Sequence, residues 1–129
     1  MLFRSCYLSG ASDWNALVRQ GRLGPMLETW VADELVKWIA VQEEDFRLYF
    51  WRTHSGQEVD FLLARGEDMI AIEVKAARHV ERRDLVGIEA CEQTLGKRIR
   101  FSLVLYGGHE LVALGPRRRA VPYATALLA

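Results

Sequence analysis

The fold of this chain is decided by Gln57–Glu58–Val59–Asp60–Phe61–Leu62–Leu63 and, after a short turn, Ile70–Ala71–Ile72–Glu73–Val74–Lys75. Apolar and polar residues alternate in both segments, which predicts two neighbouring β-strands. A carboxylate in such apolar surroundings is costly unless it is paired, hydrogen-bonded or bound to a cation. The acids of these strands, together with Lys75, therefore indicate a metal site with a companion ammonium group.

The turn between the two segments sets their register. A two-residue loop at Gly66–Glu67 and a four-residue loop at 65–68 both predict an antiparallel pair in which Asp60 lies opposite Glu73 and Glu58 lies opposite Lys75. Directly opposed residues have Cβ atoms roughly 4.5–5.5 Å apart, close enough for two carboxylates to share one divalent ion. A β-bulge would shift this register.

Composition limits what the chain can do by charge alone. The 129 residues include 17 basic and 17 acidic side chains, and half of the residues are apolar, so we expect one domain with a real core. A neutral chain gives no support to strong non-specific binding of a polyanion. Cys6 and Cys91 follow no ligand spacing and are interpreted as buried or free thiols. With no signal peptide or membrane span in view, we expect a cytoplasmic protein without a membrane partner.

The order of elements predicts a sheet covered by helices. Residues 1–23 are weakly patterned, with a short helix at 13–19, and residues 24–129 are expected to form the domain. There the patterns predict helix 24–40, strands 47–53, 57–63 and 70–75, helix 85–95, paired strands 101–106 and 110–114, and a short terminal helix or tail after Pro122. This order indicates an α/β (α+β) fold with helices on a mixed sheet.

The acids follow an order that resembles a known superfamily. Glu28 on a helix, Asp60 on a strand and then Glu73–Val74–Lys75 are similar to the motif of the PD-(D/E)XK nucleases, which include restriction endonucleases and Holliday-junction resolvases. More narrowly, the chain from about Trp14 resembles the C-terminal DUF4143 domain of bacterial and archaeal AAA+-type ATPases. The segments that carry this likeness are Gly24–Val31, Tyr49–Arg52, Gly56–Phe61 and Ile72–Lys75. The resemblance implies a restriction-endonuclease-like mixed β-sheet flanked by helices.

Two departures from that family concern its partners. Members usually carry an ATPase module upstream, and their domain tends to begin with an Asp-x-Gly-Leu segment, where this chain has Phe3–Leu8. The AAA+ ATPase module is therefore expected to be separate or missing, and any ATP-dependent role would have to be provided by another chain. A gene remnant, a truncated product and a fragment of a longer ATPase all remain open interpretations.

The resemblance also implies roles for individual residues. Asp60 and Glu73 would hold one Mg²⁺ or Mn²⁺, with the Val74 backbone carbonyl as a further oxygen ligand. Lys75 would position the attacking water or stabilise the transition state, and Glu28 would reach the site from the first helix. The expected catalytic residues are Asp60, Glu73, Lys75 and Glu28.

Basic and aromatic residues nearby are candidates for substrate binding. Arg78, Arg82 and Arg83 follow the Lys75 strand and are predicted to line a groove beside the site. The run Arg117–Arg119 is a second candidate for phosphate contact, but such a run is more often a solvated loop, and we interpret it as one. The pair Trp51–Arg52 is suited to stacking on a base, although an aromatic residue on a strand more often belongs to the core.

Two functions fit these observations. The first is a Mg²⁺-dependent endonuclease that hydrolyses DNA phosphodiester bonds. The alternative is a non-catalytic DNA-binding or protein-interaction domain of an AAA+ ATPase-family protein, because facing acidic and basic residues on paired strands are commonly a plain ion pair. DNA is a candidate ligand in both cases, and a homodimer is an assembly that the sequence leaves open.

Overall fold

The two acidic segments form adjacent antiparallel strands in a computed structural model that describes residues 23–128. Strand β1 spans Phe46–Arg52, β2 spans Glu58–Arg65 and β3 spans Asp68–Val74. Phe61 pairs with Ile72 and Arg65 with Asp68, so the predicted register is confirmed over the paired part of the hairpin. The turn residue Gly66 has a φ of 60°, a left-handed conformation that glycine adopts readily.

The remaining strands extend this hairpin into one mixed sheet. Strand β4 spans Ile99–Tyr106, β5 spans Val112–Gly115 and β6 spans Arg118–Pro122. The six strands lie in the order β1-β2-β3-β4-β6-β5. Strands β3, β4 and β6 run parallel to one another, whereas the β1–β2, β2–β3 and β5–β6 pairs are antiparallel.

Helices cover both faces of the sheet, which confirms the predicted fold class. Helix α1 spans Leu23–Ala40, α2 spans Val86–Leu95 and α3 spans Tyr123–Leu128. Short 3-10 helices at 82–85 and 96–98 flank α2, and Gly96 ends α2 with a φ of 58°. No helix within residues 23–128 combines the length and the apolar character needed to cross a membrane.

The two faces bury separate apolar clusters. The α1 face is packed by Val31, Leu35, Phe61, Ile72 and Leu105. The larger cluster on the α2 face includes Val59, Leu62, Ala71, Ile88, Cys91 and Val104. Because both faces are covered, β2 and β3 have buried residues on each side and hold the acidic residues at a fixed end of the sheet.

The strand pairing predicted near the C-terminus is wrong. Strand β6, which the sequence analysis missed, lies between β4 and β5, so the expected hairpin does not form. Arg117–Arg119 is consequently not a solvated loop along its whole length, since Arg118 begins β6 and its Nε donates to Glu92 Oε1 at 3.0 Å. An arginine whose charge is paired within the fold can sit on a strand, and that pairing is not visible in sequence.

Other expectations have mixed outcomes. The strands at 47–53, 57–63 and 70–75 and both longer helices are confirmed with boundary shifts of a few residues at most. The segment after Pro122, for which a short helix and a tail were both open, is a helix. Cys91 is a buried free thiol, as predicted. The helix expected at 13–19, the segment 1–22 and Cys6 lie outside the described residues.

Two glycines allow close backbone approaches that hold the site end of the sheet. A Cβ on Gly87 in α2 would lie 2.0 Å from the Glu58 carbonyl oxygen, and a Cβ on Gly107 would lie 2.6 Å from that of Ala76. Gly107 N–H also donates to the Ala77 carbonyl at 2.9 Å. Helix α2 therefore packs directly on the start of β2, and the segment after Lys75 is fastened to the end of β4.

Candidate active site

Three carboxyl groups from three elements meet at one end of the sheet. Glu28 comes from the second turn of α1, Asp60 from β2 and Glu73 from β3, and all three are partly buried. We call these three groups the carboxyl cluster. Side-chain hydrogen bonds join Glu28 to Asp60 and Asp60 to Glu73. The structure thus brings together the acids that the sequence placed on separate elements.

A β-bulge lies at the central acid. Tyr49 pairs with Leu62, but two residues further along β1 Trp51 pairs with Val59, so Phe50 alone opposes both Asp60 and Phe61. A bulge bends the strand and re-aims its side chains, and bulges are common beside active sites. The irregularity falls on the β1–β2 pair and leaves the β2–β3 register intact.

Backbone groups orient the cluster. The Val74 N–H donates to Asp60 Oδ2 at 2.8 Å, and the Asp60 N–H donates to the Glu73 carboxylate. Val74 is the last residue of β3, so its backbone lies at the same end of the sheet as the cluster. The expectation that Asp60 and Glu73 face one another across the strands agrees with these bonds.

The cluster retains protons to an unusually high pH. The hydrogen bond to Asp60, with burial and the charges of Asp60 and Glu58, raises the pKa of Glu28 from 4.5 to about 7. Burial and the hydrogen bond to Glu73 raise the pKa of Asp60 from 3.8 to about 7, against the opposing bonds from Glu28 and Val74. Burial also raises the pKa of Glu73. Burial and the closeness of three acidic groups both disfavour the ionised forms.

Lys75 is fixed by an acid that the sequence analysis missed. Its Nζ lies 2.9 Å from Asp84 Oδ1, and the Asp84 side chain is only 8% exposed. Asp84 Oδ2 also accepts a hydrogen bond from the Glu81 N–H at 2.8 Å. Burial alone would raise the pKa of Asp84, but the bonds from Glu81 and Lys75 lower it overall. The pair Glu81-x-x-Asp84 has the spacing of a capping box, which was the available sequence signal.

The expected ion pair between Glu58 and Lys75 is replaced by two others. Glu58 Oε2 accepts hydrogen bonds from Arg52 Nε at 3.1 Å and Arg52 Nη2 at 2.7 Å. Lys75 turns instead to Asp84, which lies in the 3-10 helix before α2. Glu58 thus makes a cross-strand ion pair with Arg52, its register partner on β1, whereas Lys75 pairs with an acid outside the sheet.

The cluster and Lys75 line one cleft of about 470 Å³, which we call the acidic cleft. Arg83 also lines the acidic cleft, with its Nε 2.8 Å from Glu81 Oε2. Arg82 is exposed on the 3-10 helix, and Arg78 lines a different cleft beside Tyr106. The structure therefore brings only Arg83 of the three predicted substrate-binding arginines to the site.

The carboxyl cluster matches a divalent-cation site only in the type of its donor atoms. Within residues 23–128, no group of three or more His, Cys, Asp or Glu side chains is arranged to hold a metal ion. The donors of the cluster are nevertheless all oxygen atoms, the type that Mg²⁺ and Mn²⁺ prefer. Protonation offsets the mutual repulsion of these carboxylates, and a bound cation is another way to offset it. The donor atoms are therefore of the type such an ion prefers, whereas their arrangement in the described residues is not that of a metal site.

A family comparison supports the narrower resemblance. Neither a search of curated proteins nor a search of solved structures found a match to this chain. The profile of one family, described as a domain of unknown function (DUF4143), matches residues 23–126. That range contains α1, the whole sheet and the carboxyl cluster. The chain belongs to the DUF4143 family.

Proposed function

We propose that this domain is a PD-(D/E)XK-like nuclease that hydrolyses DNA phosphodiester bonds with Mg²⁺ or Mn²⁺. One observation carries the proposal: three hydrogen-bonded carboxyl groups and a lysine line the same open cleft. A partly buried set of acids with raised pKa values is a candidate functional site, because a purely structural role would be served as well by apolar or singly charged residues.

The carboxyl cluster would hold the ion. Asp60 and Glu73 supply the central oxygens, Glu28 a further one from α1, and the Val74 carbonyl is the proposed backbone ligand. When bound, the ion supplies Lewis-acid polarisation of a phosphoryl oxygen and lowers the pKa of a bound water. The Val74 N–H donates to Asp60 Oδ2 at 2.8 Å and so holds this side chain in place before the reaction begins.

Lys75 would act on the substrate. Its bond to Asp84 uses one of the three donors of an ammonium, which leaves capacity for a phosphate oxygen or the attacking water. Asp84 is then a positioning residue that fixes the lysine at the wall of the acidic cleft. Arg83, on the same wall, would contact the substrate backbone.

Cleavage assays test this proposal. Linear, supercoiled and four-way-junction DNA would be incubated with Mg²⁺ or Mn²⁺ and the parent protein, Glu73→Ala or Lys75→Ala. Glu67→Gln is the matched control, because Glu67 is an exposed acid in the turn of the same hairpin. We expect cleavage by the parent and the control only. Equal cleavage by Glu73→Ala and Lys75→Ala would contradict the proposal.

A second candidate function has its own observation. The ion pair of Lys75 with the nearly buried Asp84 is also what a structural lysine makes. It favours a non-catalytic DNA-binding or protein-interaction domain that works with an AAA+ ATPase module on another chain. Metal-independent binding of DNA without cleavage would support this candidate over the first.

A further inference from the structure

Phe50 is an exposed aromatic residue placed directly across from the central acid. It lies on the edge strand β1 and is 78% exposed. Because of the bulge, it opposes Asp60 and Phe61 together. Its ring centroid lies 5.8 Å from that of Phe61 at an interplanar angle of 44°, so one side of the ring is supported from within the fold.

Phe50 belongs to a cleft that shares the acids of the site. This second cleft, which we call the aromatic cleft, has a volume of about 530 Å³ and is lined by Glu28, Asp60, Phe50 and Arg52 among others. An isolated exposed apolar residue needs no explanation on a protein surface. Phe50 differs because the cleft it lines contains two members of the carboxyl cluster.

Arg52 provides a phosphate-binding group beside the ring. Residues two apart on a strand point to the same side, so Arg52 and Phe50 share a side of β1. The Arg52 side chain is 74% exposed, yet its Nε and Nη2 are held by Glu58. Those two bonds use two of the five guanidinium donors, so the group is oriented in advance with donors remaining.

We infer that Phe50 and Arg52 form a binding platform for an unpaired nucleotide next to the carboxyl cluster, with the base stacked on Phe50 and its phosphate on Arg52. A ring stacks on any base, and only an unpaired base exposes its face to a protein. The inference rests on the proposed function and names its substrate class: DNA with a single-stranded or splayed segment at the cleavage site.

The charge of the aromatic cleft adds a condition. Glu28, Asp33, Glu58 and Asp60 also line it, so wherever these acids are ionised a polyanion is repelled until a divalent cation binds at the carboxyl cluster. Binding of a single strand therefore requires a divalent cation. This dependence separates the platform from a basic surface, which would bind without one.

Tyr49 offers a matched control. It precedes Phe50 on β1 and is 45% exposed, but it lines a different cleft that contains no member of the carboxyl cluster. Removal of either ring truncates an exposed aromatic residue of the same edge strand. Only the loss of Phe50 should affect the recognition of a base at the site.

The test compares binding of a fluorescently labelled single-stranded oligonucleotide with that of the same sequence as a blunt duplex, by anisotropy with Ca²⁺ and with a chelator in its place. We expect Phe50→Ala to weaken single-strand binding about tenfold and duplex binding less than about twofold, since one stacked base contributes on the order of tenfold or more. Phe50→Trp should restore binding, and Tyr49→Ala should leave it unchanged. An equal loss for both ligands, no loss at all, or binding that needs no divalent cation overturns the inference.

A cleavage arm separates this inference from the proposed function. If the parent cleaves DNA with Mg²⁺ but Phe50→Ala cleaves single-stranded and duplex DNA in the same ratio as the parent, the platform is refuted and the nuclease stands. If the parent cleaves neither DNA while Phe50 still governs single-strand binding, the nuclease is refuted and the site is a binding site. Absence of both cleavage and binding by the folded parent refutes both.

Discussion

Replacement of Asp60 by asparagine should remove much of the pH dependence of stability between about pH 4 and pH 7. In the folded protein the pKa of Asp60 is raised from 3.8 to about 7. Across this window the native state therefore binds more protons than the unfolded state, and the free energy of unfolding falls as the pH rises. The stabilisation is fully present below about pH 4 and is lost as the pH passes the folded pKa.

The size of the effect follows from that pKa. A rise from 3.8 to about 7 corresponds to about 4 kcal/mol at 1.36 kcal/mol per pH unit. Because Asp60 is only partly buried, solvent screening reduces the expected loss to about 2 kcal/mol between about pH 5 and pH 8. Asparagine keeps the acceptor for the Val74 N–H and a donor toward Glu73, so the fold should survive the substitution.

Urea denaturation followed by tryptophan fluorescence measures this difference. The parent, Asp60→Asn and Asp68→Asn would be compared at about pH 5 and about pH 8, with Asp68 as an exposed acid of the same hairpin. The parent and Asp68→Asn should lose stability at the higher pH, and Asp60→Asn should lose much less. A parent whose stability is flat or rises with pH, or an Asp60→Asn variant with the slope of the parent, would refute the reasoning.

Three further outcomes are expected. Gly87→Ala should lower the free energy of unfolding by about 1–3 kcal/mol, because the added Cβ would lie 2.0 Å from a backbone carbonyl oxygen of β2. Gly24→Ala is the control, since a Cβ there would have nothing within 4 Å. Equal urea midpoints for the two variants would contradict this expectation. Asp84→Ala should destabilise the fold by about 1 kcal/mol in thermal or urea unfolding and leave Lys75 without its anchor, and Asp84→Asn should retain more stability. Cys91 should resist alkylation in the native protein, since burial, with the Glu92 charge, raises its pKa to about 11; rapid native labelling of its peptide in mass spectrometry would disagree.

The hairpin and its register were predictable because both depend on local sequence. Alternation assigns residues to faces, and a turn at Gly66 with a left-handed φ leaves one register for the two strands. The helical position of Glu28 came from the spacing of Leu27, Val31 and Leu35, which the core confirms. These signals act over a few residues and need no tertiary contact to be read.

The features that escaped prediction depend on long-range contacts. Strand β6 lies between β4 and β5 because its parallel pairing with β4 closes over a long connection, and sequence order favoured a simple hairpin. The bulge opposite Phe50 leaves no periodic signal in β1. Its effect is to make Phe50, rather than the half-buried Trp51, the exposed aromatic residue beside Asp60.

The candidate site was predictable only where its residues depend on local sequence patterns. Glu28, Asp60 and Glu73 meet because each lies on an element whose pattern is clear, whereas the partners of Lys75 and Glu58 depend on a loop and on β1. Arg78 is only a few residues beyond Lys75, yet it lines another cleft, because the hydrogen bond from Gly107 N–H to the Ala77 carbonyl holds the preceding residue against the end of β4. Nearness in sequence to Lys75 therefore did not place the Arg78 side chain at the candidate site.

Calorimetric titration with Mn²⁺ at about pH 7 tests the central claim most directly, because it asks whether the carboxyl cluster exchanges its protons for a cation. Titrations of the parent in two buffers of different ionisation enthalpy give the protons released per ion bound. We expect binding with release of on the order of one proton, and loss of both in Asp60→Asn. Absence of Mn²⁺ binding by the folded parent, or binding that Asp60→Asn leaves unchanged, would contradict the assignment of the cluster as a cation site.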